Sequence, residues 1–183
     1  MSGGPQQVAY ARRVANRREV GSWLDGGPGP GDAAGGRGQR LGLPETGSGA
    51  MARWGRRAVA LVIDWMACLL ISAAFFPVDP EAFVLSRGSS VATLGIFAVE
   101  NVVLVGSIGY TLGHRLLGLR VRRVFPPQPG SPAADPVWET AAPGFLSALV
   151  RTLLLCLVVP AVVWDADGRG LHDRLAGTAI VRR

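Results

Sequence analysis

Three ionisable side chains interrupt segments that are otherwise apolar. Asp64 lies within "GRRAVALVIDWMACLLISAAFF", residues 55 to 76, and Glu100 with Asn101 sits at the midpoint of "VATLGIFAVENVVLVGSIGY", residues 91 to 110. Arg151 falls in the first half of "FLSALVRTLLLCLVVPAVVW", residues 145 to 164. An ionisable group at the centre of a lipid bilayer costs about 2.5 to 3.5 kcal/mol on insertion scales, so it faces a protein interior, pairs, or lines a path for an ion or proton. Opposite charges on separate helices can neutralise each other, and a midplane carboxylate beside an amide has the chemistry of a cation or proton relay.

The elements that must position these groups follow from length. Each apolar block is about 20 residues, enough to cross a hydrocarbon core of about 30 Å. In the first block Arg57, Ala60, Asp64, Ala67, Cys68, Ile71 and Ser72 recur at three- and four-residue steps and share one small, polar helical face. Gly106, Gly109 and Gly113 give the second block a comparable stripe for close helix contact. At about 1.5 Å rise per residue, Asp64 lies about 10 Å beyond Arg57 and Arg151 about 9 Å beyond Phe145. The two are level, which predicts an Asp64–Arg151 ion pair, while Glu100 lies deeper and reaches only the upper part of the Arg151 fork. The pair has a purely structural reading, fixing which helices pack together. Glu100 with Asn101 has the functional one.

Composition excludes several classes. Hydrophobic residues make up 49% of the 183-residue chain and charged ones 17%, with mean hydropathy +0.29, and the apolar residues are clustered. The net charge of +6 comes entirely from arginine, and those arginines flank the apolar blocks, where the positive-inside rule accounts for them without a nucleic-acid partner. Cys68 and Cys156 lie in apolar blocks far from any second ligand, which predicts neither disulfide nor metal site. His114 and His172 read as interfacial polar residues. No nucleophile triad, phosphate-cradling loop or metal cluster is visible, so neither an enzyme nor a cofactor is expected.

Residues 1–50 read as a disordered basic tail and Gly/Pro-rich linker. The tail is suited to anionic head groups, and Gly26–Ala50 holds ten Gly and three Pro. Residues 51–183 form the membrane domain, with hydrophobic segments 58–76, 91–110 and 145–164. Loop charge places the N-terminus and the 111–144 loop in the cytoplasm and the 77–90 loop outside. Three full crossings would export a tail with four arginines, against the same rule. The alternative is a third segment that dips and returns, helped by Pro160. "LRVRRV" (119–124) and "TAIVRR" (178–183) could then pair as strands, and the charge rule favours this cytoplasmic tail.

From about Trp54 onward the chain resembles the RDD family of small bacterial membrane proteins, named for one arginine and two aspartates. The resemblance rests on "GRRAVALVIDW", with Arg57 (or Arg56) and Asp64, on "YTLGHRLLGLRV", and on "GRGLHDRLAGTAIV", which supplies Asp173. It implies a membrane location and a role in moving an unidentified ligand, ions among the suggestions. If Asp173 meets Arg56 or Arg57 at the cytoplasmic surface, the named trio becomes one cluster, a geometry that requires the tail to be inside.

The expected architecture is an all-α integral membrane protein of the cytoplasmic membrane, a bundle of two to three transmembrane helices with a short cytoplasmic C-terminal segment. The expected function is transport of an ion or small solute by a homo-oligomer or with other membrane subunits. Its charge network would comprise Arg57, Asp64, Glu100, Asn101, Arg151 and Asp173. The alternative is a non-transporting adaptor whose basic tail recruits a cytoplasmic partner or anionic lipid.

Overall fold

The computed structural model describes Gly38 and residues 41–124, 141–157 and 168–183. The tail over residues 1–37, Pro160 and the remainder of the third apolar block lie outside the described residues. Helix α1 spans Trp54–Phe75. It stops because Pro77 disfavours helical backbone at Phe76, which leaves the helix at φ −132° and ψ 52°. Helix α2 spans Ser90–Ile108. Ser89 caps its start by accepting from the Ala92 N–H at 3.4 Å. One π turn, Asn101–Val105, interrupts it. Both helices are long and apolar enough to cross a membrane.

What they bury shows which solvent they suit. The buried residues of α1 are Arg57, Ala60, Asp64, Cys68, Ser72 and Ala73, while Val62 is 57% exposed and Phe75 76%. A water-soluble helix has the opposite arrangement, so this inside-polar, outside-apolar pattern is that of a helix in lipid.

The polar end of the molecule is built from a repeated unit. Helix α3 (Leu112–Leu116) leads through Gly118 into strand β1 (Leu119–Arg123), and helix α5 (Leu171–Leu175) leads through Gly177 into strand β2 (Thr178–Arg182). "LGHRLLG" and "LHDRLAG" align residue for residue, and Gly118 and Gly177 both take φ +64°, a conformation that favours glycine. The strands pair antiparallel, Leu119 with Arg182 and Arg123 with Thr178 about a central Val121–Ile180 pair, so the two units are related by a local pseudo-two-fold. The sequence expectation of an all-α fold is corrected here, although the strand pairing itself follows the β-branched patterns at 119–124 and 178–183.

Both edges of this hairpin are covered, which removes a site of stray strand addition. Val121 N–H donates to Gly109 O at 2.7 Å, while Ala52 N–H donates to Ile180 O at 2.8 Å and Arg182 N–H to Ala50 O at 2.9 Å. One face of the sheet packs Leu119, Val121 and Ile180 against Ala60, Val105 and Ala148. The other packs Val124, Ala179 and Val181 against Leu41, Leu43 and Met51. The end of the expected linker thus belongs to the folded body, because Leu41 and Leu43 supply the apolar cover that the outer sheet face needs.

Helix α4, Phe145–Cys156, is 12 residues long, about 18 Å, and is shorter than a hydrocarbon core. It begins against the end of α2, where Phe145 packs on Gly106, and the residues from Gly168 onward return to that same end to form α5 and β2. The tail therefore lies on the face that carries β1.

Candidate functional site: a buried charge cluster beneath the hairpin

Asp64 projects from the third turn of α1 toward the start of α3. The Thr111 hydroxyl donates to its Oδ2 at 2.6 Å and the Gly113 N–H to its Oδ1 at 2.6 Å. Gly113 is required for this approach, because a Cβ there would collide with the Ala60 backbone, starting with its carbonyl oxygen. The expected Asp64–Arg151 pair is thus replaced. The free N–H groups at the start of α3 and the Thr111 hydroxyl saturate the carboxylate first, and Arg151 remains only a Coulomb neighbour.

Thr111 also caps α3. Its Oγ1 accepts from the His114 N–H at 3.3 Å and lies 2.6 Å from His114 Nδ1. The Thr111 N–H in turn faces Nδ1 at 3.4 Å, so Thr111 and a neutral His114 cap the helix start reciprocally. Burial, then the Arg151 and Arg57 charges, hold the His114 pKa down to about 3 against an opposing pull from Asp173. His114, Thr111 and Asp64 are thus linked through the one Thr111 hydroxyl.

Arg151 instead donates from Nε to Asp173 Oδ1 at 2.6 Å, and Arg57 Nη1 stands 3.8 Å from Asp173 Oδ2. Thr178 Oγ1 donates to Asp173 Oδ1 at 3.2 Å, and His172 Nε2 lies 3.5 Å from Oδ2. Burial alone would raise the Asp173 pKa, yet Arg151, then His172 and Arg57, outweigh it and hold the carboxyl well below the usual carboxylate range. Asp173 is fully buried, and Arg57 and Arg151 are nearly so. The cluster sets two arginines against two aspartates around a neutral His114, which is how buried charge is tolerated.

Glu100, half-buried on the second span, lies within Coulomb reach of Asp64 but outside the arginine pairs of this cluster. It accepts from the Cys68 thiol at 3.3 Å and from the Leu112 backbone. No arginine forms an ion pair with it among the described residues, so the expected reach of Arg151 to Glu100 is not realised. Glu100 lines a shallow groove of about 490 Å³ with Phe76, Ala92, Gly95, Ile96 and Val99. Asn101 is buried and donates to Phe97 O at 3.0 Å, at the start of the π turn.

Several structural partners escaped the sequence. His114 and His172 are 6% and 7% exposed and sit in the cluster, contrary to the interfacial expectation. Thr111 looked like loop, and only its place one residue before "LGHRL" marks it as a cap. The glycine stripe also resolves differently: Gly106 meets Phe145, Gly109 meets Val121 and Gly113 meets Ala60, three separate partners. The duplicated L-x-x-R-L-x-G was the signal that would have put His114 and Asp173 at equivalent, facing positions.

Apolar outer faces, a polar interior and two long apolar helices define a helical membrane protein with a small β-hairpin at one end. The model of the RDD family matches residues 51–177, and the chain belongs to that family. No curated protein and no solved structure is matched.

Proposed function

We propose that the protein takes part in moving a small ion or solute across the cytoplasmic membrane, with Glu100 as the membrane-embedded acidic group that meets it. The observation that supports this is the contrast between the carboxylates. Asp64 takes two bonds of 2.6 Å, from the Thr111 hydroxyl and the Gly113 N–H, and Asp173 is paired with Arg151, whereas Glu100 has a weaker thiol donor and one backbone partner and borders a groove. A carboxylate in that setting favours a cation or a proton. On this reading the 145–164 block is re-entrant, the tail is cytoplasmic, and several copies or other membrane subunits complete the pathway, since one copy encloses little volume.

The adaptor alternative rests on residues 1–37, which lie outside the described residues. The two readings separate in proteoliposomes. The full chain should pass a monovalent cation or a proton, read with ion- and pH-sensitive dyes, and Glu100→Gln should reduce that flux at least tenfold. Removal of residues 1–37 should leave it intact. The truncation stops there because Leu41, Leu43 and Ala50 pack into the body. Equal flux from the wild type, Glu100→Gln and protein-free vesicles would remove the transport reading.

A further inference from the structure

Two guanidinium groups gather on the Tyr110 ring where α2 ends, and a third arginine borders the same turn. Arg115 and Arg183 hold their Cζ atoms 5.6 and 5.1 Å from the centroid of the Tyr110 ring, and Arg115 Nη1 donates to the Tyr110 hydroxyl at 3.3 Å. Arg120 borders the same turn, beside Gly109, and its Nε is shielded from solvent without a hydrogen-bond partner. Among the described residues no carboxylate side chain pairs with any of the three. The like charges are held together by packing, the ring face and one hydrogen bond to its hydroxyl, an arrangement that an anion would relieve.

The surroundings identify the kind of anion. Arg115 is exposed on the five-residue helix α3 between Leu112, 47% exposed, and Leu116, 65% exposed. That helix follows directly on a span, so its leucines are placed to enter the acyl region while Arg115 stays at head-group depth. Tyr110 has the amphipathic character typical of that level. The pseudo-two-fold supplies an internal comparison. The second unit keeps Arg174 between Leu171 and Leu175, but Arg169, Ala179 and Val124 stand where Tyr110, Arg120 and Arg183 stand in the first. Only the first unit assembles the full set.

We propose that Arg115 and Arg183 on the Tyr110 ring, with Arg120 beside Gly109 of the same turn, bind the phosphate of an anionic phospholipid head group at the hairpin face of the membrane. Guanidinium forks suit a phosphate through paired N–H donors. The site is independent of Glu100 and of whether the protein transports anything.

The test uses the full chain purified in a neutral detergent, with thermal unfolding followed as short-chain phosphatidylglycerol is added. Phosphatidylcholine of equal chain length and inorganic phosphate are run in parallel. Phosphatidylglycerol should raise the midpoint in a saturable way, and the other two should not. The Arg115→Gln, Arg183→Gln double variant alters exposed side chains and should need at least tenfold more lipid for the same shift. Arg174→Gln should behave as wild type. Arg115→Lys, which keeps the charge and loses the fork, gives an intermediate result and serves if the double variant misfolds. Equal shifts from both lipids, an undiminished response in the double variant or in Arg115→Lys, or a matching response to inorganic phosphate would each overturn the assignment. The first of these would leave the basic patch to a protein partner.

Discussion

Arg151 from helix α4 and Asp173 from helix α5 meet at 2.6 Å in a site closed to solvent, and this contact ties the C-terminal unit to the apolar part of the molecule. Arg57 of α1 approaches the same carboxylate from its other oxygen, so three segments far apart in sequence converge on one side chain.

Replacing Asp173 with Asn leaves two buried guanidiniums facing a neutral amide. Breaking a buried pair in this way costs about 3 to 5 kcal/mol. The expected result is loss of most folded protein, measured as the monodisperse fraction after detergent extraction. Asp173→Glu, which keeps the charge, should recover part of it.

Asp64 depends on α3 and not on an arginine. Thr111→Val removes the donor at 2.6 Å and should cost about 1 to 3 kcal/mol, the usual penalty for a buried acceptor left short of a partner. Thr111→Ser should cost much less. Gly113→Ala should be at least as damaging as the valine change, because its Cβ strikes the Ala60 backbone, which cannot rotate away. Thermal midpoints of the three variants check the order.

Acid should destabilise the fold in two stages. The His114 pKa is lowered from 6.5 to about 3, so below pH 6.5 the unfolded chain takes a proton that the folded one refuses. Stability is therefore full above pH 6.5 and declines as pH falls toward 3, by no more than about 1.4 kcal/mol per pH unit. The Asp173 pKa is also depressed, which means that its contribution is present above its ordinary 3.8 and is lost below that value. Midpoints recorded from about pH 8 to about pH 3 should fall throughout the acid limb, and His114→Gln should flatten the part between pH 6.5 and about 4. A wild-type profile that is level over that interval would count against the buried, neutral imidazole.

The hairpin fixes sidedness. Since β1 and β2 pair over five residues each, reporters inserted near residue 130 and fused after Arg183 should give the same side of the membrane. Opposite sides would mean that the strands do not pair in the bilayer-embedded protein.

Much of the bundle was legible because apolar length and helical spacing carry it: Arg57, Ala60, Asp64, Cys68 and Ser72 share the buried face as their spacing demands, while Ile71 at its margin is 43% exposed. The strands were legible from β-branched residues. The partner of Asp64 was not, because level depth along two helices says nothing about the distance between them, and a backbone N–H leaves no trace in residue type. Burial of His114 and His172 was missed for a related reason. Their segment is too short to show amphipathic periodicity, and only the fold of the duplicated unit turns it inward. Leu41 and Leu43 were hidden by the glycines and prolines around them, since composition averages over the two residues that pack.

Arg151 serves Asp173 and not Asp64. Two double-mutant cycles on thermal stability test this, one combining Arg151→Gln with Asp173→Asn and the other combining Arg151→Gln with Asp64→Asn. Direct contact predicts a coupling within the range of about 0.5 to 3 kcal/mol for Asp173 and a clearly smaller one for Asp64. A larger coupling to Asp64 than to Asp173 would contradict the arrangement described here.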